Sequence, residues 1–276
     1  MKIQNEDPAF HFISGLPRSG STLLAALLKQ NPRFHAGMTS PVGGIFLALL
    51  EAMSDRVEAS VFLDNDARHR ILRGFVMNYF STSNARVIFD TNRFWCSKLP
   101  TLRLLFPQAK VIACVRDTSW IIDSFERLVN RNALQPSGVF NFAASGTVYS
   151  RASALASSDG TVGFAYDALR EAFYGEHAQS MLLVQYDTLT SNPKKVLSAI
   201  YDFIGEPWFE HDFDNVEFDE GDAYDGRLGT PGLHAVGRKV RATPRDTILP
   251  PDLFQRFAGD SFWLDPSKNP RDVRIV

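Results

Sequence analysis

The chain has 276 residues, 45% of them hydrophobic, enough for one large domain or two small ones with a substantial core. Twenty-nine basic and 31 acidic side chains leave a net charge of −2, which argues against a general nucleic-acid binder but leaves room for a local basic pocket. Cys96 and Cys114 form no C-x-x-C pair and suggest no disulfide framework.

The first residues, MKIQNEDPAFHF, carry two acids and no apolar stretch of the signal-peptide kind. No window approaches the roughly 18 uninterrupted apolar residues of a membrane span. A cytoplasmic, reducing setting without a membrane is expected. FHFIS (Phe10–Ser14) then reads as a buried strand running into GLPRSGST (Gly15–Thr22). Thr22–Gln30 follows with leucines at 23, 24, 27 and 28 on one helical face, stopped by Asn31-Pro32. Helical patterns recur over Gly44–Met53 and around Ala67–Phe80. RVIFD (Arg86–Asp90) is a second strand, followed by a helix over Leu99–Phe106. Ala109–Asp117 is a third, with Ser119–Asn132 as its helix. Met181–Asp187 is a fourth, and NPKKVLSAIYDFIG is a helix with proline near its first turn and Gly205 at its end.

Strands alternating with helices predict an α/β fold, a parallel central sheet flanked by helices, in a single domain over 1–276. Residues 133–163, rich in Ser, Gly and Ala, and 205–250, rich in Gly, Asp and Pro, read as long irregular segments that act as lids. The acidic run Glu210–Asp225 reads as a solvated loop without calcium-loop spacing, and no histidine or cysteine spacing predicts a metal.

Ligands of open parallel sheets bind beyond the carboxyl ends of the strands. Those ends deliver Gly15–Thr22, Asp90-Thr91-Asn92-Arg93, Arg116-Asp117 and Gln185-Tyr186-Asp187, an edge suited to an anion. The first loop nearly spells the phosphate-binding G-x-x-x-x-G-K-[ST]. Gly15 and Gly20 let its amides turn inward, the following helix adds its positive end, and Ser21 and Thr22 add hydroxyls. Ser21 stands where the lysine belongs, so the loop's one cation is Arg18. That lysine serves the β- and γ-phosphates of triphosphates. Without it, a smaller anionic group needing no metal fits better.

GLPRSGSTLL resembles the 5′-phosphosulfate loop of sulfotransferases that use 3′-phosphoadenosine 5′-phosphosulfate (PAPS), and VRDTSWIIDS resembles their 3′-phosphate motif. With RLLFPQAKVIACVRD and VQYDTLTSNPKKVLSAIYDFIG, the series is similar to the tyrosylprotein sulfotransferases and to bacterial enzymes of that branch, over about residues 10–40 and 86–206. The resemblance implies a P-loop-like fold and a nucleotide held by Pro17, Arg18, Ser19, Gly20, Ser21 and Thr22. Arg116 and Ser124, joined by Arg127, would take the 3′-phosphate, and Tyr186 would contact the nucleotide. The basic run of Arg238, Lys239, Arg241 and Arg245 would fold over the phosphates. Arg18 and the loop amides would stabilise charge on the leaving phosphate. In the tyrosylprotein enzymes the segment after the first helix is G-E-E-T, whose first glutamate is the base. Here it is Gly37-Met38-Thr39-Ser40, without a carboxylate, and the family lysine of the second strand falls on Thr91, with Arg93 the nearest cation. Candidate bases are His35, His234 and Asp90, the imidazoles being preferred because they titrate near neutrality.

The expectation is sulfuryl transfer from PAPS, without a metal, to a hydroxyl or amine of a small molecule or peptide, with Phe140, Phe142 and Tyr149 on the acceptor side. A homo-oligomer is left open. Two other readings share the loop: a P-loop small-molecule kinase using Mg-ATP, and a non-catalytic nucleotide-binding protein of the same fold.

Overall fold

The computed structural model describes residues 7–218 and 221–276. Part of the N-terminal segment read against a signal peptide (1–6), and Asp219 and Glu220 of the acidic run, lie outside them. Strand β1 (Ala9–Gly15) is followed by α1 (Ser21–Lys29), the short β2 (Phe34–Ala36), α2 (Val42–Ala52) and α3 (Asn65–Tyr79). Next come β3 (Val87–Thr91), α4 (Leu99–Leu105), β4 (Val111–Val115) and α5 (Thr118–Arg131). Helices α6 (Val148–Ala156) and α7 (Thr161–Tyr174) precede β5 (Met181–Gln185), α8 (Tyr186–Ser191) and α9 (Pro193–Ile204). The chain continues through α10 (Asp222–Arg227) and α11 (Pro251–Phe257) to β6 (Arg274–Ile275).

Six strands form one sheet in the order β2-β3-β1-β4-β5-β6, and every neighbouring pair is parallel. The two-residue side-chain period of a strand divides the core into two layers. Phe10 and Phe12 of β1, Ile88 of β3, Ala113 of β4 and Leu183 of β5 pack on one face with α2–α5 and α7. Ile13, Phe89, Cys114 and Val184 pack on the other with α1 and α9. Strands buried on both faces read as continuous apolar runs, which is why β1, β3, β4 and β5 are legible in the sequence. The edge strands β2 and β6 span only three and two residues, too few for a pattern.

The 133–163 segment is not irregular throughout. Helix α6 starts at a capping box in which Thr147 and Ser150 satisfy each other's backbone N–H groups, and α7 starts at Thr161. The serine in place of the usual Glu or Gln hides that box from a sequence search. Among the described residues, no helix is long and apolar enough to cross a membrane.

Candidate active site

The chain winds from β1 out to β2 and β3, then crosses to β4 on the other side of β1. The crevice where winding reverses lies at the carboxyl ends of β1 and β4, the expected ligand position in such sheets. A cavity of about 620 Å³ opens there. Its lining includes Gly15–Arg18, Gly20–Leu23, Thr91–Arg93, Arg116, Ser124, Tyr186 and much of 233–245.

The first loop is fixed by its neighbour strand. Leu16 N–H and Ser19 Oγ donate to the Cys114 carbonyl at 2.8 and 2.9 Å, and Ser19 also bonds Leu16 O. Gly15 has φ +98°, and a Cβ there would stand 2.2 Å from Cys114 O. Gly20, at φ +96°, precedes α1, and a Cβ on it would press on Tyr186 and Leu189 at 3.0 Å. Arg18 itself adopts φ +56°. Backbone strain held by surrounding contacts is typical of ligand sites.

Arg18 donates from Nε to Ser124 Oγ at 3.0 Å and from Nη1 to Leu233 O. It therefore joins the loop to both the second turn of α5 and the C-terminal segment. Burial, then the neighbouring Arg116, lowers its pKa to about 10, which leaves it charged at neutral pH. Arg116 stacks its guanidinium 4.1 Å above the Tyr186 ring and reaches Arg18 O at 3.4 Å. Its Nε is buried with no partner. Arg245 packs 5.5 Å over Trp120, pairs with Asp123 Oδ2 at 3.1 Å, and also keeps a buried Nε without a partner. Donors buried and unbonded are costly unless a ligand completes them. The site presents an anion's complement.

Asp123, fully buried, anchors the segment that carries Arg245. It accepts from Arg127 Nε at 2.8 Å, Thr247 Oγ1 at 3.0 Å and Ile248 N–H at 2.8 Å.

His234 stands in the cavity lining with its Nδ1 2.5 Å from Asp225 Oδ1 and its backbone N–H donating to Oδ2 at 2.8 Å. Asp225 is 1% exposed. A carboxylate only accepts, so Nδ1 carries the proton and Nε2 is left as the basic nitrogen. Tyr224 packs edge-on against the ring, and Arg93 lines the same cavity.

The structure engages several of the expected residues elsewhere. His35 lies on β2 with its ring against Phe80 and is absent from the cavity lining. Asp90 has both oxygens engaged, by Ser40 Oγ and by Trp95 Nε1 at 2.7 Å, and so braces the strand end. The Ser19 side chain is fully buried and braces the loop inward instead of facing the cavity. Arg127 serves Asp123 and Asp246 O, outside the lining. Lys239 borders the cavity, but its ammonium pairs with Asp214 at 2.6 Å. Pro17, Arg18, Gly20, Ser21, Thr22, Arg93, Arg116, Ser124, Tyr186 and His234 are brought together. Asp225 was missed, because the acidic run that ends in it has a solvated composition. Among the described residues, no three His, Cys, Asp or Glu side chains are grouped to hold a metal ion.

Comparison with known proteins agrees with this fold. The chain is 25% identical over 279 residues to protein-tyrosine sulfotransferase 1 of Danio rerio, covering 99% of this chain and 70% of that protein. It is 28% identical over 120 residues to the Homo sapiens protein of that name, of which it spans about a third (32%). In structure it is similar to the sulfotransferase domain of the curacin biosynthetic pathway, with TM-score 0.58 at 16% identity over 91% of this chain and 96% of that one. The sulfotransferase domain of the Synechococcus PCC 7002 olefin synthase gives 0.51 at 22% identity over 92% and 95%. The family model described as "Sulfotransferase family" matches residues 11–210, from β1 and its glycine loop past α9, and on that match the chain belongs to the sulfotransferase family.

Proposed function

We propose that the protein transfers the sulfuryl group of PAPS to a hydroxyl acceptor, with His234 as the general base. The observation that carries this reading is the convergence of Arg18, Arg116 and Ser124 on one crevice, whose lining also holds Arg245 and Tyr186. The donor supplies one sulfuryl group, which leaves its 5′-phosphate oxygen for the acceptor oxygen, and a 3′-phosphate for recognition. The loop amides, Ser21 and Thr22 at the positive end of α1, and Arg18 hold the 5′ side and face the charge that grows there. Arg116 and Ser124 hold the 3′-phosphate, with the guanidinium fork suited to its oxygens. His234 Nε2 takes the acceptor's proton, and Asp225 keeps the ring in the tautomer able to do so. Arg93, across the same cavity, serves as a further cation for the transferring group.

Two observations disfavour a kinase. The loop lacks the lysine for a γ-phosphate, and Asp90, the strand-end acid in place for a metal, is occupied by Ser40 and Trp95. Calorimetric titration with 3′-phosphoadenosine 5′-phosphate, beside ADP and ATP with and without Mg²⁺, tests the reading. Metal-independent preference for the 3′-phosphorylated nucleotide, weakened at least tenfold by Arg116→Ala, is expected. Preference for Mg-ATP overturns it.

A further inference from the structure

Beside the reaction cavity lies a second hollow of about 820 Å³, walled by the 128–146 stretch, by α6 and the start of α7, and by Gly229-Thr230. The two cavities share Gly138, Val139 and Thr161, which form the sill between them. Their electrostatics are opposite in kind. The first is bordered by Arg18, Arg93, Arg116, Lys239, Arg241 and Arg245. In the second the charged lining residues are Arg151 and Asp159. Arg151 is already engaged: Nε and Nη2 meet the Glu126 carboxylate at 3.0 and 2.5 Å, and Nη1 donates to Gly146 O at 2.8 Å. The hollow offers a visitor the exposed carboxamides of Asn130, Gln135 and Asn141, the hydroxyl of Ser145 and the exposed carboxylate of Asp159, interleaved with apolar Leu134 and Phe140.

A polyanionic donor belongs in the first cavity, where the cations are. The second has no uncommitted cation for an acidic ligand and a single carboxylate, Asp159, so its polar lining is mostly neutral and suits an uncharged one. Carboxamides and hydroxyls both donate and accept hydrogen bonds, as an alcohol does. A ligand dense in hydroxyls satisfies such a surface at many points, and it also brings the nucleophile the reaction requires. The hollow's size lies within the range of organic-ligand sites.

We propose that the second hollow is the acceptor subsite and that the acceptor is an uncharged, hydroxyl-rich chain of the oligosaccharide type. One of its hydroxyls passes over the Val139–Thr161 sill to His234. This rests on the sulfotransfer reading above. The sill is tied to the base: Gly138 N–H donates to Leu228 O at 2.7 Å, Ser137 Oγ meets Thr230 Oγ1 at 2.5 Å, and Thr230 N–H donates to Asp225 O at 2.9 Å. Seating the chain against the sill therefore presses on the loop that orients the His234–Asp225 pair.

The test is saturation-transfer NMR and calorimetry with cellotetraose, maltotetraose, a neutral peptide (Gly-Ser-Tyr-Asn-Gly) and an acidic one (Glu-Glu-Tyr-Glu-Glu). Ala154→Trp on α6 and Ala143→Trp in the 128–146 stretch fill the hollow, at exposed positions absent from the reaction cavity's lining. A tetrasaccharide is expected to bind, and each variant to weaken it at least tenfold while 3′-phosphoadenosine 5′-phosphate affinity stays within twofold. Preference for either peptide, absence of tetrasaccharide binding, or indifference to both variants overturns the proposal. Saccharide binding is measured without nucleotide, so a protein that binds the saccharide but not the nucleotide refutes the sulfotransfer reading and leaves a saccharide site without its acceptor role.

Discussion

Asp225→Asn isolates the base without removing any atom that fills space. In the wild type the two carboxylate oxygens serve two donors, His234 N–H at 2.8 Å and His234 Nδ1–H at 2.5 Å. Asparagine has one acceptor oxygen and one donor nitrogen. The backbone N–H cannot change role, so it keeps the oxygen, and the amide NH₂ turns to Nδ1. The ring proton must then move to Nε2, where the acceptor hydroxyl needs a lone pair. A positioned general base contributes about 10²–10⁴-fold, equivalent to roughly 3–5 kcal/mol of barrier. The variant is expected to lose about that factor in kcat with unchanged affinity for 3′-phosphoadenosine 5′-phosphate and an unchanged circular-dichroism spectrum. Coupled detection of released 3′-phosphoadenosine 5′-phosphate reads the rate for any acceptor. A kcat within threefold of wild type, with His234→Gln equally active, refutes the assignment of His234 as base.

Gly15→Ala places a methyl group 2.2 Å from Cys114 O at φ +98°, so neither the side chain nor the backbone fits. A loss of about 3 kcal/mol, or roughly 5–10 °C in Tm, is expected by thermal denaturation, and a loss under 1 kcal/mol contradicts the close approach. His11 is buried, accepts the Lys110 N–H at 3.1 Å, and is lowered to about 4 by burial, then by Lys110. The unfolded chain takes up a proton below about 6.5 that the folded one refuses, so this contribution is intact above pH 6.5 and falls by about 3 kcal/mol on the way to pH 4. Urea titrations at pH 7 and 4.5 should show His11→Gln less pH-sensitive than wild type; equal sensitivity rejects the coupling. Burial pushes Cys96 to about 11 and Cys114 to about 12. Native protein at pH 8 should leave both thiols unlabelled by a disulfide reagent until denaturant is added, and fast labelling of either contradicts their enclosure.

The parts legible in the sequence are those whose chemistry is local. The glycine loop, Arg116 and Ser124 lie within contiguous motifs at the ends of buried strands, so spacing alone brings them to one edge. Asp225 does not, since nothing in an acidic run marks which carboxylate will be buried under a histidine nine residues on. His35 and His234 looked equivalent as isolated imidazoles, and only tertiary packing separates the one against Phe80 from the one over the cavity. Ser19 shows a subtler limit. Membership in a binding loop does not say which way a side chain turns, and this one turns back to hold the strand.

That bond has a thermodynamic consequence. A single oxygen, the carbonyl of Cys114, receives both Leu16 N–H and Ser19 Oγ, so the loop's shape is dictated from inside the sheet before any anion arrives. Ordering the five residues from Leu16 to Gly20 costs on the order of 5–10 kcal/mol of backbone entropy, and here that cost falls on folding and not on association. Affinity for the proposed nucleotide is thus partly a property of β4, a strand with no residue in the cavity lining.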